Sequence, residues 1–170
     1  IVACCDEIIG GRWDDQFPLH VWQTGSGTQT NMNVNEVVSN RAEIMKNGVI
    51  NGVGRFVHPN DEVNRSQSTN DVFPSAMRVA TAQAVVHRLL PAVRQLHAAL
   101  SEKMRAFNDV VQIGRTHLMD ATPLTVGQAF SGYVSQIQHD MEAVEAVLPH
   151  VMELPLGGTA VGTGLNTPEN

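Results

Sequence analysis

Apolar residues recur at three- and four-residue steps along two long stretches of this chain. From about residue 70 to 107, Val72, Met77, Val79, Ala80, Ala84, Val85, Leu89, Leu90, Val93, Leu96, Leu100 and Met104 keep that step, the period of a helix with one buried face. Pro74 fits a first turn, whereas Pro91 stands inside the run. It predicts either one bent helix or two, at about 71–89 and 91–107. A second long helix is predicted over about 123–152, with Thr122 as its N-cap, Pro123 at its first position and Pro149 near its end. Met32, Val34, Val37, Val38, Ile44 and Met45 predict a shorter helix over about 30–46, stopped by Asn47-Gly48. Residues 1–9 read as the tail of a helix ended by Gly10-Gly11. Residues 12–28 are irregular with a short strand at 19–22, residues 48–68 are loop, 109–122 extended or loop, and the Gly-rich 157–164 a turn.

The stretch 76–84 is apolar nearly all round and wants burial on more than one side. This chain has too few helices to provide that, so partner helices from further sequence or from other subunits are implied. The fold class is mainly α, a long-helix bundle with irregular polar loops at its helix ends.

Composition narrows the function classes. The chain has 170 residues, 42% hydrophobic and 16% charged, a globular balance. The formal net charge is −6 and no Lys/Arg cluster occurs, which argues against a nucleic-acid partner. An anionic ligand would have to be met by local donors. No apolar run approaches the roughly 20 residues that span a bilayer, so no membrane role is expected. Residues 1–10 carry Asp6-Glu7 and no basic start, unlike a signal peptide. Adjacent Cys4 and Cys5 suit neither an ordinary disulfide nor a metal framework, which points to a reducing compartment. Ile1 is not an initiator Met, and Pro168-Glu169 suits the first turn of another helix. A piece of a longer protein is the expectation.

Polar residues gather where helices begin. The first cluster, residues 24–31, is Thr-Gly-Ser-Gly-Thr-Gln-Thr-Asn. Small residues and free amides at a helix entrance suit a carboxylate or phosphate. It is not a dinucleotide fingerprint, because Thr30 stands where a third Gly belongs and no βαβ pattern surrounds it. The second cluster, residues 66–71, is Ser-Gln-Ser-Thr-Asn-Asp, more polar groups than one cap requires. The third is His58-Pro59-Asn60-Asp61 with Arg55 upstream, a set able to grip an anion at a surface. Metal binding by His58 and Asp61 lacks further ligands. The Gly-rich 157–164 stretch is no P-loop, since no Gly-Lys-Ser/Thr follows it. Asn31, Asn33, Asn35 and Asn40 are poor helix formers inside a predicted helix, better explained by buried hydrogen bonds or a site. His87, His97, His139 and His150 lie in helical runs and read as ordinary residues. His117, in the polar turn just ahead of the second long helix, is different: a loop imidazole can cap backbone or trade protons near neutral pH. Hydroxyls and amides around an anion, with one His free for proton transfer, suit addition or elimination next to a carboxylate.

Five motifs carry a resemblance: TGSGTQTNMNVNE (24–36), HPND (58–61), SQSTNDVFP (66–74), GRTHLMDATP (114–123) and LGGTAVGTGLNT (156–167). In this order and spacing they resemble class II fumarase of the fumarase/aspartase superfamily, over essentially the whole chain. Aspartase is similar around residues 66–71 but typically has Gln where His117 stands and Ala-Gly-Ala-Gly-Thr-Ser in place of residues 24–29; both differences favour fumarase. A non-catalytic helical scaffold of lyase ancestry would not need these clusters kept together.

The resemblance implies reversible hydration of fumarate to L-malate, a tricarboxylic acid cycle step, with no metal and no other cofactor. It implies that His117 is catalytic, and that Ser26, Gly27, Thr28, Ser68, Thr69, Asn70 and Thr116 bind substrate. It also implies that Arg55, His58, Pro59, Asn60 and Asp61 form a second anion site. Residues 1–65 would end an N-terminal lyase domain with its connecting loops, and 66–170 would begin a central helical-bundle domain. The intact protein is expected to be a homotetramer with active sites shared between subunits, in the cytoplasm, or in the mitochondrial matrix if eukaryotic. The family's mobile loop with its catalytic Ser, and its substrate-binding Lys and Asn, would lie beyond residue 170, so the piece alone is expected to be inactive.

Overall fold

The computed structural model describes residues 1–20, 23–50 and 53–168. The chain divides into two compact units, residues 1–77 with 154–170, and residues 78–153.

The first unit contains α1 (Val2–Ile9), a 3-10 turn at Asp14–Gln16, α2 (Thr28–Asn47), one π-turn at Pro59–Val63 and the start of α3 (Thr69–Ala84). As its Asn-Gly ending predicts, α2 stops at Gly48, which takes φ 77° and donates its N–H to the Ile44 carbonyl at 2.9 Å. Cys4, Val38, Ala42 and Val57 form the core, with Cys5, Ile8 and Val63 packed against it. Two polar residues of α2 are buried there with partners. Ser39 donates to the Val57 carbonyl, and Glu43 accepts from the Phe56 N–H and from Asn47 Nδ2, each at 2.7 Å. Those donors hold the Glu43 carboxyl below its ordinary range despite burial. The strand read at 19–22 lies partly outside the described residues, and Leu19 and His20 are irregular.

Glu7 ties α1 to α2. Arg41 grips both carboxylate oxygens, Trp13 Nε1 donates at 2.9 Å and Arg12 at 3.0 Å. The Arg41 and Trp13 hydrogen bonds pull the Glu7 carboxyl down to about 2 from 4.5, with the two guanidinium charges adding to them against burial. Its stabilising effect is therefore complete above the ordinary value and is lost as pH falls towards the folded value. Melting temperature followed between about pH 5 and pH 2 should fall more steeply for the wild type than for Glu7→Gln. Equal slopes would show that Glu7 is not the group responsible.

The second unit holds the end of α3, a π-helical segment at Val85–Leu89, α4 (Leu90–Ala106), a hairpin of β1 (Val111–Thr116) and β2 (Met119–Thr125), and α5 (Val126–Val151). The helical run passes Pro91 without a break. Proline brings no N–H and crowds the carbonyl four residues back, and the turn before it widens, with the Leu90 N–H reaching the Val85 carbonyl. Pro74 falls inside α3, not in its first turn, because the helix begins at Thr69.

Residues 111–121 are extended or turn as expected, but the helix start expected at 122–123 is displaced. Thr122 is not an N-cap and Pro123 does not open a helix: both lie in β2, paired antiparallel with β1. In a two-stranded sheet each strand has an open edge, so Pro123 fits opposite Ile113. The cap is Thr125, whose Oγ1 accepts from the Gln128 N–H at 3.0 Å while Gln128 Oε1 accepts from the Thr125 N–H at 2.8 Å.

Helices α4 and α5 run antiparallel. Arg94 pairs with Glu145 at 2.7 Å near one end, and Gly127 meets the last turn of α4 at the other. Arg78 donates to the His150 and Glu153 carbonyls at 2.6 and 2.8 Å, a cation at the C-terminal end of α5. A Cβ at Gly127 would lie 2.6 Å from the Met104 carbonyl oxygen and 2.7 Å from Asn108 Cα, both backbone atoms. Gly127→Ala should therefore destabilise the protein by about 1–3 kcal/mol, seen as a lower urea midpoint. An unchanged midpoint would mean that the two helices part without cost. Apolar side chains remain exposed here: Val86 and Leu89 on the π-helical segment, Leu96 on α4 and Val147 on α5. No described helix is long and apolar enough to cross a membrane.

Candidate functional site

The first polar cluster becomes a loop of hydroxyls. Gly25 and Gly27 both take the left-handed conformation, at φ 71° and 75°. Thr24 Oγ1 lies 3.1 Å from Ser26 Oγ, and Ser26 Oγ lies 3.1 Å from Thr28 Oγ1. Gly27 is the N-cap of α2 and offers no side chain to its first amides.

The second cluster is a cap and an anchor at once. Ser68 Oγ accepts from the Asn70 N–H at 3.2 Å, and Asp71 Oδ1 accepts from the Ser68 N–H at 2.9 Å, a reciprocal arrangement closing the start of α3. The other oxygen, Oδ2, accepts from the N–H groups of Thr159 at 2.9 Å and Gly157 at 3.1 Å. Asp71 is 2% exposed. Burial opposes its charge more than any other single influence, yet the converging backbone donors together hold the carboxyl below its ordinary value. Asn70 Nδ2 donates to the Ala160 carbonyl at 2.7 Å, which binds the Gly-rich loop a second time. Asn31, an oddity in a helix by sequence, donates to Thr69 Oγ1 at 3.0 Å and Asn64 Oδ1 at 3.3 Å, joining α2 to the α3 entrance.

These two clusters face one cleft of about 580 Å³. Ser26, Gly27, Thr69 and Asn70 form its polar side, and Phe73, Pro74 and Met77 its apolar side; no charged side chain is among its described lining. Such a cleft can hold an anion through hydroxyls, amides and helix N–H groups without a fixed cation. Thr28 joins through the hydroxyl ladder, whereas Ser68 spends its hydroxyl on the cap.

The remaining expected residues are not among the described lining of this cleft. Arg55 pairs with Glu36 at 2.7 Å and reaches Ser39 Oγ at 3.5 Å. His58 caps the π-turn, its Nδ1 accepting from the Asn60 and Asp61 N–H groups at 3.3 and 3.4 Å and lying 3.3 Å from Asp61 Oδ2. Pro59 is buried at the first position of that turn. Among the described residues no three His, Cys, Asp or Glu side chains gather as a metal site would require. Thr116 and His117 belong to the second unit. Thr116 ends β1 and His117 opens the two-residue turn to β2, with φ 52° at His117 and 62° at Leu118. His117 is exposed there. The sequence reading placed no role on Phe73 or Met77, whose apolar type at helical spacing looks like any core residue, nor on Asp71 as the anchor of residues 157–159.

The chain resembles known proteins along its length. It is 60% identical to the class II fumarate hydratase of Nitrosomonas europaea over 167 residues, 98% of this chain and 36% of that protein. It is 59% identical over 168 residues to the class II fumarate hydratase of Thermosynechococcus vestitus, again 36% of its length. It thus spans about a third of the length of these curated relatives. The crystal structure of recombinant class II fumarase from Schistosoma mansoni superposes with a TM-score of 0.93 at 49% identity, over 99% of this chain and 35% of that one. A fumarate lyase:delta crystallin structure from Brucella melitensis superposes with a TM-score of 0.86 at 45% identity, over 99% of this chain and 36% of that one. A family model described as Lyase matches residues 1–170, and the chain belongs to that lyase family.

Proposed function

We propose that this chain serves a class II fumarate hydratase, which adds water reversibly across the double bond of fumarate to give L-malate. The observation that carries the reading is the cleft itself. It unites Ser26-Gly27 with Thr69-Asn70 on an uncharged, donor-rich face opposite an apolar one. A dicarboxylate with a small apolar centre has that polarity. Ser26, Thr28, Thr69 and Asn70 bind a carboxylate, with the α2 entrance adding its dipole. Gly27 lets backbone approach the ligand. Ser68 sets the α3 entrance, and Thr116 supplies a further hydroxyl beside His117. In hydration His117 accepts a proton from the attacking water as the oxygen bonds to one carbon, while a second acid delivers a proton to the other carbon; in dehydration both transfers reverse. Negative charge that builds on the adjacent carboxylate is met by the hydroxyl and amide donors. No metal or redox step is needed by this addition.

Arg55, His58, Pro59, Asn60 and Asp61 are proposed as a second, surface anion site, one that requires Arg55 to share its Glu36 partner. Residues 1–65 are assigned to an N-terminal lyase domain and 66–170 to the beginning of the helical bundle. A homotetramer in the cytoplasm, with sites completed between subunits, accounts for the exposed apolar helix faces.

The test is to give the product of the complete reading frame fumarate with ammonium present and to identify the product by NMR. Malate supports the reading. Aspartate would make the protein an ammonia lyase and overturn the distinction drawn at His117. No product would favour a non-catalytic scaffold.

A further inference from the structure

We propose that Phe73 is a positioning residue for the hydroxyl loop, holding Ser26 and Thr28 in place by packing its ring where residue 27 has no side chain. A Cβ at Gly27 would lie 2.3 Å from Phe73 Cδ1 and 2.5 Å from Cγ and Cε1. The ring therefore occupies the space of that side chain and lies against the backbone at the turn into α2. Glycine alone cannot hold this turn, because a residue without Cβ moves freely between left- and right-handed φ. Gly27 is nonetheless buried, and its φ of 75° carries the hydroxyls of Ser26 and Thr28 on either side at 3.1 Å from each other. The stiffness that glycine lacks comes from the ring. The same ring forms the cleft's apolar side with Pro74 and Met77, so the loop is clamped from within the cleft. Thr69 and Asn70 stand on the same helix as Phe73, at its entrance, so one helix both supplies polar groups and sets the loop that supplies the others. Ordering binding groups before the ligand arrives lowers the entropy cost of binding.

The proposal rests on the fumarate hydratase reading for its kinetic arm only. In the full-length protein, Phe73→Ala should raise KM for fumarate by about tenfold, with kcat per folded active site within about threefold, and Phe73→Tyr should restore KM. A merely structural loss would reduce the active fraction and leave KM alone. The second arm is a thermal cycle. Gly27→Ala should lower the melting temperature strongly in the wild-type background and far less in the Phe73→Ala background, since the clash partner is gone. A wild-type KM in Phe73→Ala overturns the proposal, as does an equal cost of Gly27→Ala in both backgrounds. If Phe73→Ala does not fold, Phe73→Leu takes its place, with an expected KM rise of about threefold. A wild-type protein without hydratase activity overturns the proposed function, and the thermal cycle then decides Phe73 by itself.

Discussion

On the proposed hydratase reading, replacing His117 by Asn in the full-length protein should lower kcat for fumarate hydration by about 10²–10⁴-fold, the contribution of a positioned general acid or base. The choice of Asn is dictated by the backbone. His117 and Leu118 both hold left-handed φ, 52° and 62°, in the two-residue turn of the hairpin. Such a conformation costs a non-glycine residue on the order of 1–2 kcal/mol, and Asn tolerates it better than most. His117→Asn thus removes the imidazole and leaves the turn able to form. The exposed Arg115–Asp120 pair at 3.1 Å adds at most about 1 kcal/mol to the hairpin, so the turn must be held mainly by its ladder. Adding Leu118→Gly produces Asn-Gly, a pair favoured in this kind of turn. That double variant should melt no lower than the wild type and stay inactive. Strain at a candidate catalytic residue would then be visible as stability given up for function. Activity within tenfold of wild type in His117→Asn would end its assignment as the proton-transfer group.

The hairpin also shows where sequence reasoning failed and why. A two-residue turn of this kind is normally announced by Asn-Gly or Asp-Gly, and His-Leu gives no such signal. The Thr-Pro at 122–123 meanwhile imitates a helix start, and only pairing with Ile113 and its neighbours, invisible to a local pattern, overrides it. The long helices were legible because their apolar steps are sustained and their ends are marked, as at Asn47-Gly48. The clusters at 24–31 and 66–71 were legible as excess polarity at helix entrances. Their meeting at one site followed from the resemblance and not from any local pattern, because Asn31 and Thr69 are far apart in sequence. Phe73 was hidden for the opposite reason: its side chain matters through what is missing at Gly27.

Asp71→Asn should destabilise the protein by about 2–4 kcal/mol, since hydrogen bonds to a buried charge are strong and an unmatched buried donor is costly. The carboxylate accepts N–H groups from Ser68, Thr159 and Gly157 on its two oxygens. An amide has one oxygen and one NH₂, so at least one of those N–H groups would face another donor. The 157–159 loop would lose its anchor, leaving the Asn70 contact to the Ala160 carbonyl to hold it. Because the α3 entrance is built on the same carboxylate, Thr69 and Asn70 should loosen as well, and on the proposed hydratase reading KM for fumarate should rise with the loss of stability. The pH dependence separates this cause from a general packing defect. The folded carboxyl lies below its ordinary 3.8, so its stabilising effect is complete above that value and disappears as pH falls through the folded one. The stability gap between wild type and Asp71→Asn, measured by urea unfolding, should therefore be constant from about pH 7 to pH 5 and shrink below about pH 4. A gap that persists undiminished into acid would mean that the charge of Asp71 is not what holds the loop, and that shape alone accounts for the loss.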